Sequence, residues 1–222
     1  MLNKFKLNSD FIAMKSWHYW VITNNIRILF FNGLINLICN IKGIKIGKKV
    51  VFNGFPKIYR FRKSRIEIGD NCSLNSARNS LLIGLRRSCT LATLEPNSEI
   101  LLGNNVGMSG CVIIAASKIE IGNNVTIGAN CLILDTDFHH SDPLKRLTNN
   151  SAPTRPVVIK ENVFIGTDCL ILKGVTIGKN AAIGAGSVVI NDIPDNSIAV
   201  GNPCKVVIRK SIDVVNRDNL RF

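Results

Sequence analysis

The sequence has few of the residues that usually build a core around aromatic rings. Phe, Trp and Tyr together make up only 6% of its 222 residues, so the core must consist mainly of Ile, Val and Leu. Only three histidines are present and no two cysteines form a CxxC pair, which argues against a metal site. The seven cysteines, in a chain with no secretory leader, predict reduced thiols and a cytoplasmic protein.

Long uninterrupted apolar sequence is also missing. The most apolar segment, residues 21–41, is interrupted by Gly33 and by polar side chains that include Asn25, Arg27, Asn32, Asn36 and Asn40, whereas a membrane-spanning helix needs about 20 apolar residues. Asn32, Asn36 and Asn40 recur every four residues and form one stripe of an amphipathic helix. We expect this helix either to cover the open end of the following domain or to lie on a membrane surface.

Acidic residues are nearly absent from the first third of the chain. Residues 1–65 contain 13 Lys and Arg and one acid, Asp10, a net charge of 13 − 1 = +12. The remaining 157 residues contain 15 basic and 14 acidic side chains, a net charge of 15 − 14 = +1. This uneven distribution of charge has two possible explanations. The basic residues either form a solvated face, or they attract an anionic partner such as lipid headgroups or a glycan. No recognised nucleic-acid-binding motif accompanies the charge, so nucleic acid is not expected as a partner.

The sequence does contain a six-residue repeat of aliphatic side chains. Its most regular members are Ile159, Ile165, Ile171, Ile177, Ile183 and Val189. A period of six fits neither a helix, with a period of 3.6, nor a half-buried strand, with a period of 2. It is typical of a β-solenoid, in which short strands and tight turns stack so that one side chain of each repeat enters a shared core.

The repeat extends upstream, with one irregularity and one large interruption. Leu102, Met108 and Ile114 keep the step of six, and Ile121, Ile127 and Ile133 resume it after one extra residue. From Ile133 to Ile159 the distance is 26 residues, so 20 more than one step must leave the coil. We place this loop at 135–158, and a long polar loop on a rigid solenoid is a common position for chemistry.

The organisation predicted from these patterns is all-β. A solenoid domain at 44–206 follows a basic, amphipathic helical segment at 1–43 and precedes a short tail at 207–222.

Three stretches resemble the hexapeptide-repeat acyltransferases, whose fold is a left-handed parallel β-helix. KGVTIGKNAAIGAGSVVI at 173–190, followed by DIPDNSIAVGNPCKV at 192–206, is similar to the C-terminal signature of the family. IGNNVTIGANC at 121–131 is similar to its central coil, and FHHSDPLKR at 138–146 to the pattern HPxDPxxR, whose histidine is the catalytic base. The resemblance covers 44–209 and is greatest to colanic acid, capsule, O-antigen, maltose and galactoside O-acetyltransferases.

The resemblance implies a homotrimer with active sites between neighbouring solenoids, acetyl-CoA laid along the coils and no metal. The residues that it assigns to the coenzyme are Gly128, Thr167, Ala185, Lys205 and Arg209. The residues that it assigns to the acceptor are Ser109, His140, Arg146 and Phe164. Many relatives have tryptophan at the position of Phe164, and the asparagine of the maltose and galactoside branch has no counterpart in Met108-Ser109-Gly110. The acceptor site therefore departs from that branch at two positions.

His139 occupies the position of the catalytic base in this resemblance. A sugar hydroxyl attacks a thioester only if its proton is removed, and histidine changes protonation close to neutral pH. A carboxylate would orient the ring, and Asp137 is preferred over Asp142 and Asp135 because it could share the strand that leads into His139.

The expected function is acetyl-CoA-dependent O-acetylation of a sugar in a bacterial surface polysaccharide, such as capsule, exopolysaccharide or O-antigen. The expected location is the cytoplasm, with peripheral contact at the inner membrane face through the basic N-terminal third. The alternatives are N-acetylation of an amino sugar, free or nucleotide-linked, and a solenoid scaffold without catalysis.

Overall fold

The computed structural model describes residues 31–77, 84–148 and 152–207, in which the chain forms a parallel β-helix with three sheets. Sheet A contains β1 Lys45–Ile46, β4 Arg65–Ile68, β7 Glu99–Leu102, β10 Lys118–Ile121, β13 Val157–Ile159 and β16 Thr176–Ile177. Sheet B contains β2 Val51–Asn53, β5 Ser73–Asn75, β8 Gly107–Ser109, β11 Thr126–Ile127, β14 Phe164–Ile165, β17 Ala182–Ile183, β19 Ile198–Val200 and β20 Lys205–Val207. Sheet C contains β3 Lys57–Tyr59, β6 Thr90–Thr93, β9 Val112–Ala115, β12 Leu132–Leu134, β15 Leu170–Ile171 and β18 Val188–Val189.

Each coil supplies one strand to each sheet, so coil 1 consists of β1 to β3 and coil 6 of β16 to β18. Equivalent residues of successive coils pair in parallel, as Ile133 does with Ile171. The six aliphatic residues from Ile159 to Val189 that defined the repeat are at most 1% exposed. The predicted fold class, a β-helix with one inward aliphatic residue for every six, is therefore confirmed.

The predicted repeat is wrong at one position, Ile114. Ile113 is fully buried in the core, whereas Ile114 lies on the outer face of sheet C. The pairings explain this difference, because Ile127 is opposite Met108 and Ile133 is opposite Ile113. The corner between β8 and β9 is thus one residue shorter than the corner between β11 and β12, and the inward position shifts by one.

Helix α1, residues 31–41 of the described chain, packs against coil 1. Ile35 and Cys39 are each 2% exposed and belong to the same core cluster as the coils. The side-chain oxygen of Asn32 accepts a hydrogen bond of 2.7 Å from the backbone N–H of Phe52, which leaves one fewer unpaired donor on coil 1. The rest of the predicted N-terminal segment, 1–30, and the tail from residue 208 lie outside the described residues.

Two segments leave the β-helix at its corners. The first lies between β5 and β6, at the corner where sheet B meets sheet C, which we call the B–C corner. The second, residues 135–156, lies between β12 and β13, at the C–A corner, and contains α2 Pro143–Leu147. The predicted loop was two residues too long, because residues 157 and 158 belong to β13. We call the segment 135–156 the active-site loop.

Candidate active site

Asp135 anchors the start of the active-site loop. Its carboxylate is fully buried and accepts hydrogen bonds of 2.7 Å from the backbone N–H groups of Ala116 and Ser117. Burial raises the pKa of this carboxyl above its usual value. Its backbone oxygen also accepts a hydrogen bond of 2.9 Å from the N–H of Arg155, which closes the neck of the loop. These contacts give Asp135 a structural role.

His139 follows a strained turn. Phe138 has a φ of 61°, which is unusual for a bulky side chain, and the N–H of His139 donates to the backbone oxygen of Asp137 at 2.7 Å. A positive φ combined with a hydrogen bond between residues two apart is typical of the rare, strained γ-turn. Strain of this kind is concentrated at functional sites. The side chain of His139 is exposed in the single chain.

The carboxylates of the two other predicted partners of His139 are engaged elsewhere. Asp137 lies 2.6 Å from the ammonium group of Lys173, which belongs to the next coil. Asp142 is the N-cap of α2 and accepts a hydrogen bond of 2.9 Å from the N–H of Leu144. Among the described residues, no carboxylate bonds the ring of His139. The pairing of His139 with Asp137 or Asp142 therefore stays a prediction.

The remaining predicted residues of the active-site loop also have identified positions. The ring nitrogen Nδ1 of His140 accepts a hydrogen bond of 3.2 Å from the N–H of Asp142, so this ring is fixed against the start of α2. Arg146 lies in the last turn of α2 with its side chain exposed. Both side chains thus belong to the same loop as His139.

Three of the residues assigned to the coenzyme, Gly128, Thr167 and Ala185, form a column at the B–C corner, which we call the coenzyme column. Gly128, Thr167 and Ala185 lie there in coils 4, 5 and 6, and the N–H of Gly128 donates to Ile165 O at 2.7 Å. A Cβ atom at Gly166 would lie 2.5 Å from the backbone nitrogen of Ala185, so successive coils touch through their backbones. The column therefore has little side-chain bulk and exposes backbone. Lys205 is exposed at the start of β20, and Arg209 lies outside the described residues.

Two residues assigned to the acceptor lie on the outer face of sheet B. Phe164 is 53% exposed on β14. Ser109, on β8, accepts a hydrogen bond of 3.0 Å through its hydroxyl from the side-chain amide of Asn75, on β5. Sequence reasoning missed Asn75, although it directly precedes the point where the regular repeat is interrupted.

A second residue that sequence reasoning missed is Arg86, in the segment 85–89, which we call the strap. Its guanidinium lies 3.0 Å from the carboxylate of Asp168, the neighbour of Thr167 in the coenzyme column. A signal was present in the sequence, because the core residues Leu74 and Leu91 are 91 − 74 = 17 positions apart where the repeat requires six. These extra residues predict a second loop that leaves the β-helix at this corner.

Sheet C separates the two halves of the predicted site. The active-site loop attaches at the C–A corner, whereas the coenzyme column lies at the B–C corner. The intervening strand β12 has three residues, about 10 Å at the usual rise of a strand. The structure thus brings Gly128, Thr167 and Ala185 together in one column but does not bring them near His139 of the same chain.

In the described part of the chain, the cysteines and acids do not form an alternative site. All seven cysteines are buried and free, and a hydrogen bond with Cys111 raises the pKa of Cys131 to about 12. Within 31–77, 84–148 and 152–207, no three His, Cys, Asp or Glu side chains are arranged to hold a metal ion. No helix within the same ranges is long and apolar enough to cross a membrane.

Three parallel sheets built from six-residue repeats are the architecture of the hexapeptide-repeat transferases. Sequence profiles agree: that of the bacterial transferase hexapeptide (six repeats) matches 156–191, and that of the hexapeptide repeat of succinyl-transferase matches 118–134. The chain is 38% identical over 165 residues to a protein of Saccharomyces cerevisiae assigned to the acetyltransferases, covering 68% of this chain and 83% of the yeast protein. The chain therefore belongs to the hexapeptide-repeat acetyltransferases, a family of acyltransferases.

Relatives with a named substrate match over a smaller region. The galactoside O-acetyltransferase of Escherichia coli is 38% identical over 123 residues, which cover 52% of this chain and 60% of the relative. Among solved structures, a mutant of AntD, an N-acyltransferase from Bacillus cereus in complex with dTDP-4-amino-4,6-dideoxyglucose and coenzyme A, has a TM-score of 0.60. It is 18% identical and covers 81% of this chain and 91% of that chain, which establishes the left-handed β-helix as the shared fold.

Proposed function

We propose that the protein transfers the acetyl group of acetyl-CoA to a sugar hydroxyl, with His139 as the general base. The column at Gly128 and Thr167 has small side chains and can accommodate the extended pantetheine arm of CoA. The exposed ammonium group of Lys205 can bind the phosphates of CoA. Acetyl-CoA supplies an acetyl group activated as a thioester. His139 takes the hydroxyl proton while the sugar oxygen bonds to the acetyl carbon, and it returns the proton to the sulfur that leaves.

The observation that carries this proposal is the outer face of sheet C. Every outward side chain of its last four strands and of the residues that follow them is aliphatic and at least partly exposed: Val112, Ile114, Leu132, Leu134, Leu170, Leu172, Val188 and Ile190. Single soluble chains rarely expose a continuous apolar surface of this extent. We infer that this face packs against copies of the same chain in a homotrimer.

A three-fold axis facing sheet C would complete the active site. Each chain has the coenzyme column at one edge of that sheet and His139 at the other. Rotation about such an axis brings the B–C edge of one chain next to the C–A edge of its neighbour. His139 of one chain then faces the Gly128 column of the next, which accounts for its exposure in the single chain.

Paired alanine variants of the two adjacent histidines test the base. His139→Ala should lower kcat for acetyl transfer about 10²–10⁴-fold, whereas binding of CoA measured by calorimetry stays the same. His140→Ala is the matched control: because His140 is assigned to the acceptor and not to proton transfer, its loss should act on KM for the sugar and leave kcat nearly unchanged. Lability in alkali distinguishes an acetyl ester, which hydrolyses, from the stable amide that N-acetylation would give. Near-normal kcat in His139→Ala would refute the assignment.

We also propose that the acceptor belongs to a surface polysaccharide or its precursor and that the enzyme works at an anionic membrane face. On α1, Leu37 and Ile41 are 57% and 78% exposed, although the opposite face of the helix is buried. The residues from 31 to 65 include no acid and the following bases: Lys42, Lys45, Lys48, Lys49, Lys57, Arg60, Arg62, Lys63 and Arg65. Exposed aliphatic side chains among basic groups suit the headgroup region of anionic lipid.

Sedimentation with liposomes tests this contact. The wild-type protein should bind phosphatidylglycerol-containing vesicles and not neutral ones, and Ile41→Glu should weaken binding. The control is Val207→Glu, because Val207 is 53% exposed at the opposite end of the β-helix. Equal binding of the two variants would exclude α1 as the contact.

A further inference from the structure

Helix α1 lies across the open end of the β-helix. The side-chain oxygen of Asn32 accepts a hydrogen bond from the N–H of Phe52, and the ammonium group of Lys42 donates to the backbone oxygen of Ile58 at 3.1 Å. Phe52 belongs to β2 and Ile58 to β3, so the helix reaches from sheet B to sheet C. Both contacts satisfy backbone groups on the free edge of coil 1. The outer side of α1 therefore points away from the coils, along the axis of the β-helix.

The outer side of α1 is aliphatic. Leu34, Leu37 and Ile41 are all exposed and recur at i, i+3 and i+7, the spacing of one helix face. Ile35 and Cys39 are buried on the opposite side, against coil 1. The side chains that point furthest from the core are thus apolar, which is the arrangement of a helix that lies in the surface of a lipid layer.

The three corners of coil 1 surround this aliphatic stripe with basic or aromatic side chains. Lys48 and Lys49 are exposed where sheet A meets sheet B, which we call the A–B corner, and Phe55 is exposed at the B–C corner. Arg62 and Lys63 are exposed at the C–A corner. Basic groups attract anionic headgroups, and aromatic rings favour the boundary between water and lipid. Because the three corners belong to one coil, they can contact one flat surface together.

At the A–B and C–A corners, the excess of positive charge is confined to coil 1. In coil 2, Asp70 lies at the A–B corner and Glu95 at the C–A corner. On the outer face of sheet A, basic side chains pair with acidic ones, as Lys118 does with Glu120 at 2.7 Å. The positive charge is thus concentrated at the end of the β-helix and not along this side, so an anionic surface would attract the molecule end-on.

We propose that the β-helix stands upright on an anionic lipid surface, with α1 and the three corners of coil 1 in the headgroup region. This inference rests on the proposed membrane contact and adds its geometry: the axis of the β-helix is perpendicular to the lipid surface. The active-site loop leaves at coil 4 and returns at coil 5, three to four coil steps from coil 1, or about 14–19 Å. The acceptor is thus bound at a fixed height above the lipid. A three-fold axis parallel to the β-helices would place three such ends on one side of the trimer, where their contacts with the surface add.

Charge reversal at separate corners tests the orientation. Full-length protein is sedimented with vesicles of phosphatidylglycerol and phosphatidylcholine in about 0.1 M salt, in which charges act over about 10 Å. The double variants Lys48→Glu/Lys49→Glu and Arg62→Glu/Lys63→Glu should each lower the affinity about tenfold or more. Phe55→Glu should also weaken binding, because an upright β-helix contacts the lipid through all three corners.

Lys160→Glu/Lys179→Glu is the matched control. It makes the same change of charge at the A–B corners of coils 5 and 6, about 19–24 Å from coil 1. An upright β-helix predicts wild-type affinity for this variant. A β-helix lying on one side predicts either that one corner of coil 1 has no effect or that the control binds as weakly as Lys48→Glu/Lys49→Glu. Each of these two results would overturn the orientation.

Two further measurements separate the orientation from the rest of the proposed function. Wild-type protein that does not bind anionic vesicles would overturn the membrane contact and the orientation together, whereas His139→Ala should bind them as the wild type does, whatever its activity. Melting temperatures show whether each variant folds. If Phe55→Glu does not fold, Lys57→Glu, beside it at the start of β3, replaces it as the test of the B–C corner.

Discussion

The carboxylate of Asp137 lies 2.6 Å from the ammonium group of Lys173. Asp137 is two residues before His139 in the active-site loop, and Lys173 belongs to the coil beneath that loop. The side chain of Lys173 is only 20% exposed. This ion pair, together with the buried Asp135, holds the active-site loop against the coils of the β-helix.

Removal of that ion pair should impair catalysis more than stability. Lys173→Met releases the segment before His139, and loss of about 1 kcal/mol of positioning free energy corresponds to a five- to tenfold lower kcat. Steady-state kinetics and hydrogen exchange of 136–142 report both effects. Lys160→Met is the control, because Lys160 pairs with Asp195 at 3.3 Å on another corner. Equal kcat in the two variants would show that the ion pair does not position His139.

Gly166 should tolerate no side chain. In Gly166→Ala the added Cβ would lie 2.5 Å from the backbone nitrogen of Ala185, so two coils must separate. Overpacking against backbone costs about 1–3 kcal/mol or more, and we expect a lower midpoint in urea together with weaker CoA binding. Gly107→Ala is the matched control, since its Cβ would meet only the hydroxyl of Ser73 at 3.4 Å. Similar urea midpoints for both variants would contradict the close coil contact.

Stability in acid should depend on Glu67. Its carboxylate lies 2.7 Å from Arg65 and from Lys45, and these hydrogen bonds lower its pKa to about 2. A lowered pKa in the folded state stabilises the protein above the unfolded value near 4.3, and this contribution is lost as the pH falls toward 2.

Glu67→Gln should therefore flatten the fall in unfolding free energy between about pH 4.3 and 2. Urea titrations at several pH values measure the slope. Glu95→Gln should keep the wild-type slope, since Glu95 forms no ion pair within the described ranges. An unchanged slope in Glu67→Gln would mean that the group is not paired in solution.

A charge on the outer face of sheet C should dissociate the trimer that we propose. Leu170→Glu places a carboxylate within the aliphatic surface, where burial without a partner is costly. Light scattering after size exclusion should show single chains, and acetyl transfer should be lost with assembly. Val158→Glu, on the outer face of sheet A, should remain trimeric. A trimeric, active Leu170→Glu enzyme would exclude this face as the interface.

Much of the architecture could be predicted because each coil repeats the same local rule. Ile165, Ile171 and Ile177 each fill an equivalent core position, so a period of six is enough to predict the β-helix. Ile114 was misassigned since a corner one residue shorter cannot be distinguished by pattern alone when Ile113 is equally apolar. Arg86 was missed for a different reason: contact between the strap and coil 5 joins residues 82 positions apart, 168 − 86, through no repeat.

The sequence by itself determined the β-helix and the loop that carries His139, because the inward residues and the excess length between Ile133 and Ile159 follow directly from counting. The family followed from the resemblance of the motifs at 121–131, 138–146 and 173–206. Only the tertiary structure decided that Asp137 bonds Lys173, that Asp142 caps α2 and that the coenzyme column and His139 lie on opposite edges of sheet C. Those relationships depend on which corner each coil turns at and on side-chain partners distant in the chain. The free energy of such contacts is set by three-dimensional packing, which a linear period does not encode.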